Sequence, residues 1–192
     1  MEKARIAILA SGSGTNAEAI MKNFADHPNI TVALLLSNNP AAYALERAKK
    51  FGVPTGVFSR EEFRTGNEVM RALEYHAITH IVLAGFLLLV PASIIKAFPG
   101  RIVNIHPALL PRHGGKGMYG ERVHQAVKAA GDLITGITIH LVNEKFDDGR
   151  VLFQASCPVL AEDDPEQIAR KVHELEHRHF PPVIERWISS QV

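Results

Sequence analysis

Residues 5–16 read RIAILASGSGTN, and this stretch predicts the fold class of the chain. A short apolar run leads into a glycine-rich turn, and the turn leads into residues 16–24, whose apolar side chains recur at helical spacing. A strand, a glycine loop and a helix in this order are typical of doubly wound α/β proteins. The backbone N–H groups of such a loop and the helix N-terminus attract an anion, so we also expect a phosphate site here.

The same loop fits a dinucleotide-binding fingerprint, with Gly12, Gly14 and Ala17 in its small-residue positions. The second predicted strand, however, ends in Leu36-Ser37-Asn38-Asn39, without an acidic residue to hold ribose hydroxyl groups. We therefore favour the phosphate monoester of a smaller substrate over a nicotinamide cofactor. The other alternative is a turn in which the glycines only permit tight packing.

The rest of the chain continues the alternation of strands and helices. Apolar runs predict buried parallel strands at residues 5–10, 31–37, 81–86 and 102–105. Helical patterns lie at residues 16–24, 40–51, 61–76, 91–98 and 121–130. Residues 135–142 and 151–158, on either side of Asp147-Asp148-Gly149, predict two antiparallel strands. We therefore expect an α/β fold with a doubly wound, mostly parallel, Rossmann-like sheet and an antiparallel edge.

The last helix is expected to begin at Pro165. Asp164 suits the N-cap position, and Gln167 completes a capping box with it. Further along, Pro181-Pro182 should kink this helix or restart it, because proline lacks a backbone N–H and its ring clashes with the preceding turn.

Composition restricts the classes of function. The 192 residues carry a net charge of +1, so the chain has no electrostatic footprint for nucleic acid or an anionic membrane. Cys157 is the only cysteine, which excludes a disulfide within the chain and a cysteine metal cluster. No apolar run approaches the ~20 residues of a membrane span. We therefore expect a cytoplasmic protein without nucleic-acid or membrane partners.

The stretch Asn104-Ile105-His106-Pro107 is the first candidate for chemistry. It ends a predicted strand, where ligands lie in open α/β sheets, and the two polar side chains project from the same face. An amide and an imidazolium there can hold a developing oxyanion, and Asp147 can orient the imidazole or relay a proton. Each residue alone also has a structural explanation, because His106 could bond the turn before Pro107 and Asp147 could form an Asx turn.

A second candidate is His173-Glu174-Leu175-Glu176-His177, which matches the H-E-x-x-H signature of zinc peptidases. Zinc in such sites needs a third protein ligand. Only 15 residues follow His177, and Phe180 and Val183 stand where the extended motif has Gly and His. We therefore favour a charged, solvated helix face and predict no metal site.

Several motifs together resemble one enzyme family. In chain order they are S-G-S-G-T-N, L-L-S-N-N, L-A-G-F, N-I-H-P-A-L-L-P, G-I-T-I-H with a later D-D-G, and E-H on the last helix. In this order, over nearly the whole chain, they resemble the phosphoribosylglycinamide formyltransferases, or GAR transformylases. The resemblance implies an enzyme of de novo purine biosynthesis. Its co-substrate would be 10-formyltetrahydrofolate, and its acceptor the amine of 5′-phosphoribosylglycinamide.

The resemblance also implies roles for individual residues. The substrate would be held by Ser13, Gly14, Thr15, Asn16, His173 and Glu176. The folate would be held by Arg60, Leu87, Leu88, Leu89, Val90, Asn104, Asn143 and Asp147. The catalytic residues would be Asn104, His106 and Asp147. A single domain, residues 1–192, would then have a phosphate-binding half near residues 1–100 and a folate-binding, catalytic half near residues 101–192, as a monomer or weak homodimer.

The chain departs from the family pattern at several positions. Leu88 stands where relatives often carry a basic residue, and the family's D-x-G-P ends in Arg150 here. The segment from residue 112 to 121 contains an insertion, G-G-K-G-M-Y-G, at residues 114–120. We expect this segment to form a mobile lid, with Lys116 close to a substrate phosphate.

For the reaction, we expect direct attack of the acceptor amine on the formyl carbon. Asn104 and an imidazolium of His106 would meet the oxyanion, and Asp147 is expected to raise the pKa of His106. A formyltetrahydrofolate deformylase, with water as acceptor, is the nearest alternative, although it usually carries an additional N-terminal domain. A methionyl-tRNA formyltransferase would favour a basic surface and a C-terminal domain. A non-catalytic phosphate-binding module would not need the three catalytic groups.

Overall fold

A computed structural model describes residues 3–191, so residues 1, 2 and 192 of the predicted domain lie outside the described residues. The strands in this range are β1 Ala4–Leu9, β2 Ile30–Ser37, β3 Thr55–Val57, β4 His80–Leu83, β5 Ile102–His106, β6 Ile134–Leu141 and β7 Val151–Pro158. The helices in this range are α1 Thr15–Phe24, α2 Tyr43–Lys50, α3 Arg60–Thr65, α4 Asn67–Tyr75, α5 Ala92–Ala97, α6 Glu121–Ala129 and α7 Pro165–Ser189.

The strands of residues 3–191 form one sheet in the order β3-β2-β1-β4-β5-β6-β7. All pairs from β3 to β5 are parallel, whereas β6 runs antiparallel to both β5 and β7. The predicted doubly wound, mostly parallel sheet with an antiparallel edge is therefore confirmed.

Helices cover both faces of the sheet because its central strands are apolar on both sides. Along β1, Ile6 and Ile8 belong to a core formed with α1, α2, α6 and α7. The alternate residues Ala7 and Leu9 belong to a second core, formed with α3, α4 and α5. This two-sided burial explains why β1 reads as a continuous apolar run rather than as an alternating one.

Two local features differ from the sequence-based expectation. The helix predicted at residues 61–76 is divided at Gly66, which lies at φ 79° and donates its N–H to the carbonyl of Glu62. A left-handed glycine is a common helix terminator, and α4 begins at the next residue. The short strand β3 was not predicted, because its three residues are exposed or half-buried and form no apolar run.

The last helix begins as predicted, with a complete capping box between Asp164 and Gln167. It continues without interruption to Ser189, so the expected restart at Pro181-Pro182 is wrong. Phe180 and Ile184, on either side of the prolines, are fully buried, and this packing holds the two halves of the helix together. Within residues 3–191, no helix combines the length and the apolar character needed to cross a bilayer.

The order of the strands reverses between β1 and β4, which opens a crevice at their carboxyl ends. Ser11, directly after β1, connects the loops around this crevice. Its N–H donates to the carbonyl of Gly85 at 3.0 Å, and its hydroxyl accepts the N–H of Leu87 at 3.1 Å. The glycine loop, the segment after β4 and the end of β5 therefore lie at one edge of the sheet.

Candidate active site

A cavity of about 640 Å³ occupies this crevice. All but one of the predicted site residues line it, namely Ser13, Gly14, Thr15, Asn16, Arg60, Leu87, Leu88, Leu89, Val90, Asn104, His106, Asp147, His173 and Glu176. The exception is Asn143, whose side-chain nitrogen donates to Asp148 at 3.2 Å and whose side-chain oxygen, Oδ1, accepts the backbone N–H of Lys145 at 2.9 Å. Asn143 therefore shapes its own loop rather than the wall of the cavity.

The glycine loop is packed tightly against α2. Gly14 lies at φ 73°, and a Cβ added to it would come within 2.5 Å of the Cβ of Ala44. The guanidinium of Arg47 donates to the carbonyl of Ser13 at 2.9 Å and pairs with Glu18. These contacts hold the N-terminus of α1 toward the cavity, where its dipole favours an anion.

Glu176 projects from α7 toward the same loop. Its carboxylate is buried and accepts the side-chain amide of Asn16 at 2.9 Å. Burial raises the pKa of Glu176 to about 7, against the opposing effect of this hydrogen bond. The group therefore titrates near neutral pH, and it can either donate to or accept from a hydroxyl group.

Asn104 and His140 are paired across the antiparallel ladder of β5 and β6. His140 Nδ1 lies 2.9 Å from the carbonyl of Leu141, which only accepts, so Nδ1 carries a proton. In the neutral ring, Nε2 then accepts the side-chain amide of Asn104, at 3.1 Å. The same amide nitrogen lies 3.4 Å from Asp147 Oδ1. His140 thus orients the amide so that its second N–H faces Asp147.

His106 is held by both ring nitrogens. Nε2 lies 2.8 Å from the carbonyl of His113, so this nitrogen carries a proton, and Nδ1 lies 3.4 Å from Asp147 Oδ2. Burial lowers the pKa of His106, and the charge of Asp147 opposes this effect without reversing it. The contribution of Asp147 to this pKa therefore has the predicted direction, but burial outweighs it and leaves the pKa of His106 below its ordinary value.

Asp147 lies between the two imidazoles, in a left-handed backbone conformation at φ 53°. Its Oδ2 accepts the backbone N–H of Gly115 at 3.0 Å. Burial by itself would raise the pKa of Asp147, but the imidazole of His140, 3.6 Å from Oδ1, the charge of His106 and the N–H of Gly115 together lower it. Asp147 is therefore a carboxylate at neutral pH.

The loop after β4 forms an apolar wall of the cavity. Leu87 and Leu89 are both 43% exposed, whereas Val90 is buried and anchors the segment in the core. Exposed leucines at the wall of a cavity suit a flat, largely apolar ring system. Arg60, the first residue of α3, lines a neighbouring cavity together with Leu88, Leu89 and Val90 and so borders the same segment.

The glycine-rich insertion lies between β5 and α6, and residues 115–120 line the cavity. Gly115, Gly117 and Gly120 have positive φ values of 94°, 88° and 54°, which side-chain-bearing residues rarely adopt. Lys116 lines the cavity within this segment. Its approach to a substrate phosphate and the mobility of the segment stay predictions.

The H-E-x-x-H stretch has a different arrangement from the one its signature suggests. The rings of His173 and His177 stack with centroids 6.5 Å apart, and Glu174 is exposed. His173 lines the cavity beside the buried Glu176. Among residues 3–191, no cluster of three or more His, Cys, Asp or Glu side chains is arranged to hold a metal ion.

Sequence reasoning gave too little weight to two histidines of the site. His140, at the end of an alternating strand, is only a weak candidate by sequence, because a lone histidine is more often structural. Its contact with Asn104 depends on a strand register that the sequence does not specify. His124, on α6, lines the cavity and was not considered. Burial, with smaller effects of His173 and His106, lowers its pKa to about 4, so it is neutral at physiological pH.

A family profile described as "Formyl transferase" matches residues 4–184. The chain belongs to the formyl transferase family. It is 39% identical to the chloroplastic phosphoribosylglycinamide formyltransferase of Arabidopsis thaliana, over 94% of this chain and 64% of that protein. It is 36% identical to the phosphoribosylglycinamide formyltransferase of Haemophilus influenzae, over 97% of this chain and 87% of that protein.

The fold agrees with solved structures of the same family. The crystal structure of phosphoribosylglycinamide formyltransferase from Bacillus halodurans superposes with a TM-score of 0.88 at 35% identity, covering 98% of this chain and 97% of that one. The chain thus spans less than two thirds of the plant relative but nearly all of this bacterial one.

Proposed function

We propose that this formyl transferase passes the formyl group of 10-formyltetrahydrofolate to the amine of 5′-phosphoribosylglycinamide. The products are formylglycinamide ribonucleotide and tetrahydrofolate, in de novo purine biosynthesis. The observation that carries the proposal is the cavity itself. It joins an anion-binding helix N-terminus, a leucine-lined wall and the group of Asn104, His106 and Asp147. The names of the relatives point to the same substrates.

Each end of the cavity suits one substrate. The N-terminus of α1 and Lys116 would hold the phosphate, and Glu176 would bond the ribose hydroxyl groups. The leucine wall and Arg60 would hold the folate ring and its glutamate. Two substrates held in this way meet at Asn104, so much of the rate enhancement would come from their relative orientation.

The residues at the centre would stabilise the transition state. As the amine attacks the formyl carbon, the carbonyl oxygen becomes negative and accepts the amide N–H of Asn104 that faces Asp147. Because Nε2 of His106 is occupied by the His113 carbonyl, Nδ1 is the nitrogen that can donate a proton to the oxyanion. The carboxylate of Asp147 stabilises that imidazolium.

The transfer ends when the bond between the formyl carbon and folate N10 breaks. The attacking amine loses a proton and N10 gains one, so no net proton is consumed. Asp147, which contacts both His106 and His140, would carry this proton, directly or through water.

The proposal is tested by formyl transfer from 10-formyltetrahydrofolate, followed by absorbance of the deformylated folate, with and without phosphoribosylglycinamide. Release of the product only in the presence of the glycinamide supports the transferase. Release without it would mean that water is the acceptor and that the chain is a deformylase. No release in either sample would favour a phosphate-binding module.

Three further expectations remain predictions. They are the cytoplasmic location, the monomeric or weakly dimeric state, and the division of the domain into a phosphate-binding and a folate-binding half. The contact between Asn16 and Glu176 means that both halves would touch the phosphoribosyl group.

A further inference from the structure

Asp132 lies outside the cavity, just after α6, yet it is connected to the centre of the site. Its carboxylate accepts Nε2–H of His113 at 2.6 Å and pairs with the guanidinium of Arg112 at 2.5 Å. The carbonyl of His113 in turn accepts Nε2–H of His106 at 2.8 Å. We propose that Asp132 is a positioning residue for the formyl transfer, which holds His113 and thereby fixes the ring orientation and the tautomer of His106.

The backbone of His113 needs such a restraint. It lies at φ 53°, in the left-handed region, which is strained for a residue with a side chain. The conformation persists only where the surroundings hold it, and the ring of His113 is tied to Asp132. Without this tie, we expect His113 to relax toward a negative φ, which would rotate its carbonyl away from His106.

The same backbone stretch also contacts Asp147. Gly115 donates its N–H to Asp147 Oδ2 at 3.0 Å. Between them, Gly114 lies so close to Asp147 that an added Cβ would be 3.4 Å from the Cβ of that residue. Residues 113–115 therefore contact both His106 and Asp147, and a shift of His113 would disturb both.

The setting of Asp132 argues for positioning rather than for stability. Its side chain is only 8% exposed, and it follows the C-terminus of α6, where the helix dipole disfavours a negative charge. A buried ion pair contributes little net stability compared with apolar packing. The burial of the Asp132 carboxylate is explained by its two partners, the ring of His113 and the guanidinium of Arg112.

The tautomer of His106 matters for the proposed reaction, on which this inference rests. With the proton held on Nε2, Nδ1 is the atom that titrates beside Asp147. In Asp132→Ala, both neutral tautomers of His106 should become populated. Without the His113 carbonyl as a fixed acceptor for Nε2–H, the ring of His106 can rotate and no longer holds Nδ1 toward the oxyanion and Asp147, so the productive fraction falls.

The test combines a spectroscopic readout with kinetics. Two-dimensional NMR of protein labelled with 15N-histidine reports which ring nitrogen is protonated, and His106→Gln assigns the signal. We expect one Nε2–H tautomer in the unsubstituted protein and averaged signals in Asp132→Ala and His113→Phe. The turnover number kcat should fall roughly tenfold to a hundredfold, as after an ångström-scale misplacement, while KM for both substrates changes little.

Two further variants separate positioning from a general loss of stability. His113→Gln keeps a donor near the position of Nε2 and should restore the tautomer and most of kcat. Asp163→Ala removes another buried carboxylate, which pairs with Lys171 at a distance of 2.5 Å. This pair lies outside the cavity, so the substitution should change only stability. An unchanged His106 tautomer and kcat in both Asp132→Ala and His113→Phe would overturn the proposal. Because the NMR measurement needs no substrate, it tests whether Asp132 and His113 fix the tautomer of His106 even if no formyl transfer is found.

Discussion

Asn16 donates its side-chain amide to Glu176 at 2.9 Å, and this contact ties the start of the first helix to the middle of the last one. Within the described part of the chain, Oδ1 of the same Asn16 is buried without a hydrogen-bond partner. A buried acceptor beside a carboxyl group that titrates near pH 7 suits a ligand with hydroxyl groups. The pair thus joins the phosphate loop to the proposed ribose contact.

The raised pKa of Glu176 predicts a stability effect with a definite sign. The folded chain binds the proton more tightly than the unfolded chain, whose Glu has a pKa near 4.5, so stability falls as pH rises from 4.5 to about 7. Glu176→Gln has no carboxyl group to ionise at this position, so this fall in stability with rising pH should be absent. Relative to wild type, the variant should gain up to roughly 3 kcal/mol between about pH 5 and about pH 8, measured by urea unfolding.

Glu174→Gln is the matched control, because it makes the same change on the exposed face of the same helix. The difference in unfolding free energy between this variant and wild type should be the same at about pH 5 and at about pH 8. If Glu176→Gln also follows the wild-type curve in parallel, then Glu176 does not carry an elevated pKa in the folded protein.

Asn104→Ala should lower kcat by about a hundredfold to a thousandfold, as the loss of an oxyanion donor typically does. The KM for phosphoribosylglycinamide should stay close to wild type, because the phosphate loop lies on a different element. Steady-state kinetics with both substrates varied checks this. Asn67→Ala, at an exposed position on α4, is the control for the loss of an amide. A raised KM with an unchanged kcat would mean that Asn104 only binds substrate.

The sequence was sufficient to predict most of the fold because hydrophobic burial dominates it. Apolar runs marked every strand of the parallel core, whereas β3 carries no such run and was missed. The division of one predicted helix at Gly66 depends on a left-handed residue, and a single glycine in a helical pattern does not announce that conformation. Likewise, the burial of Phe180 and Ile184 kept α7 continuous through two prolines.

The site was predictable only as far as local patterns and the family resemblance reached. Asn104 and His106 share a strand face, so their proximity follows from a spacing of two. The contact of His140 with Asn104 depends on the register of β5 against β6. The hydrogen bond between Asp132 and His113 joins two loops that are 19 residues apart, and it accompanies a left-handed backbone at His113. No local sequence pattern predicts this contact.

Asp147→Asn keeps the shape of the side chain and removes its charge. The charge of Asp147 is the largest influence opposing the effect of burial on His106, so the pKa of His106 should fall further in this variant. We expect a loss of at least about a hundredfold in kcat, and the remaining activity should decline at a lower pH than in wild type. The pH dependence of kcat and an NMR titration of His106 measure both effects.

Asp148→Asn is the adjacent control, because that carboxylate is half-exposed and pairs with Lys145. It should leave the pH profile unchanged. An unaltered pH profile in Asp147→Asn would show that the charge of Asp147 does not support an imidazolium during turnover.

Gly14→Ala should damage the phosphate loop. The new Cβ would come within 2.5 Å of the Cβ of Ala44, at a φ of 73° that alanine rarely adopts. We expect a loss of about 1–3 kcal/mol in stability and a raised KM for phosphoribosylglycinamide. In Gly12→Ala, two residues earlier, the Cβ would meet nothing within 4 Å. This variant should therefore retain both properties, and equal effects of the two substitutions would contradict a specific role of Gly14.

Lys116→Ala tests whether the glycine-rich insertion takes part in substrate binding. Lys116 lines the cavity, and a charge-assisted hydrogen bond to a phosphate typically contributes about 1.5–3 kcal/mol. The KM for phosphoribosylglycinamide should therefore rise about tenfold to a hundredfold, with kcat nearly unchanged. The difference in KM between variant and wild type should shrink at high salt, because salt screens the interaction of an exposed cation.

Lys49→Ala, an exposed position outside the cavity, is the control. Retained affinity in Lys116→Ala would leave the insertion without an electrostatic role, and the hydrogen bond from Gly115 to Asp147 would then be its contribution to the site.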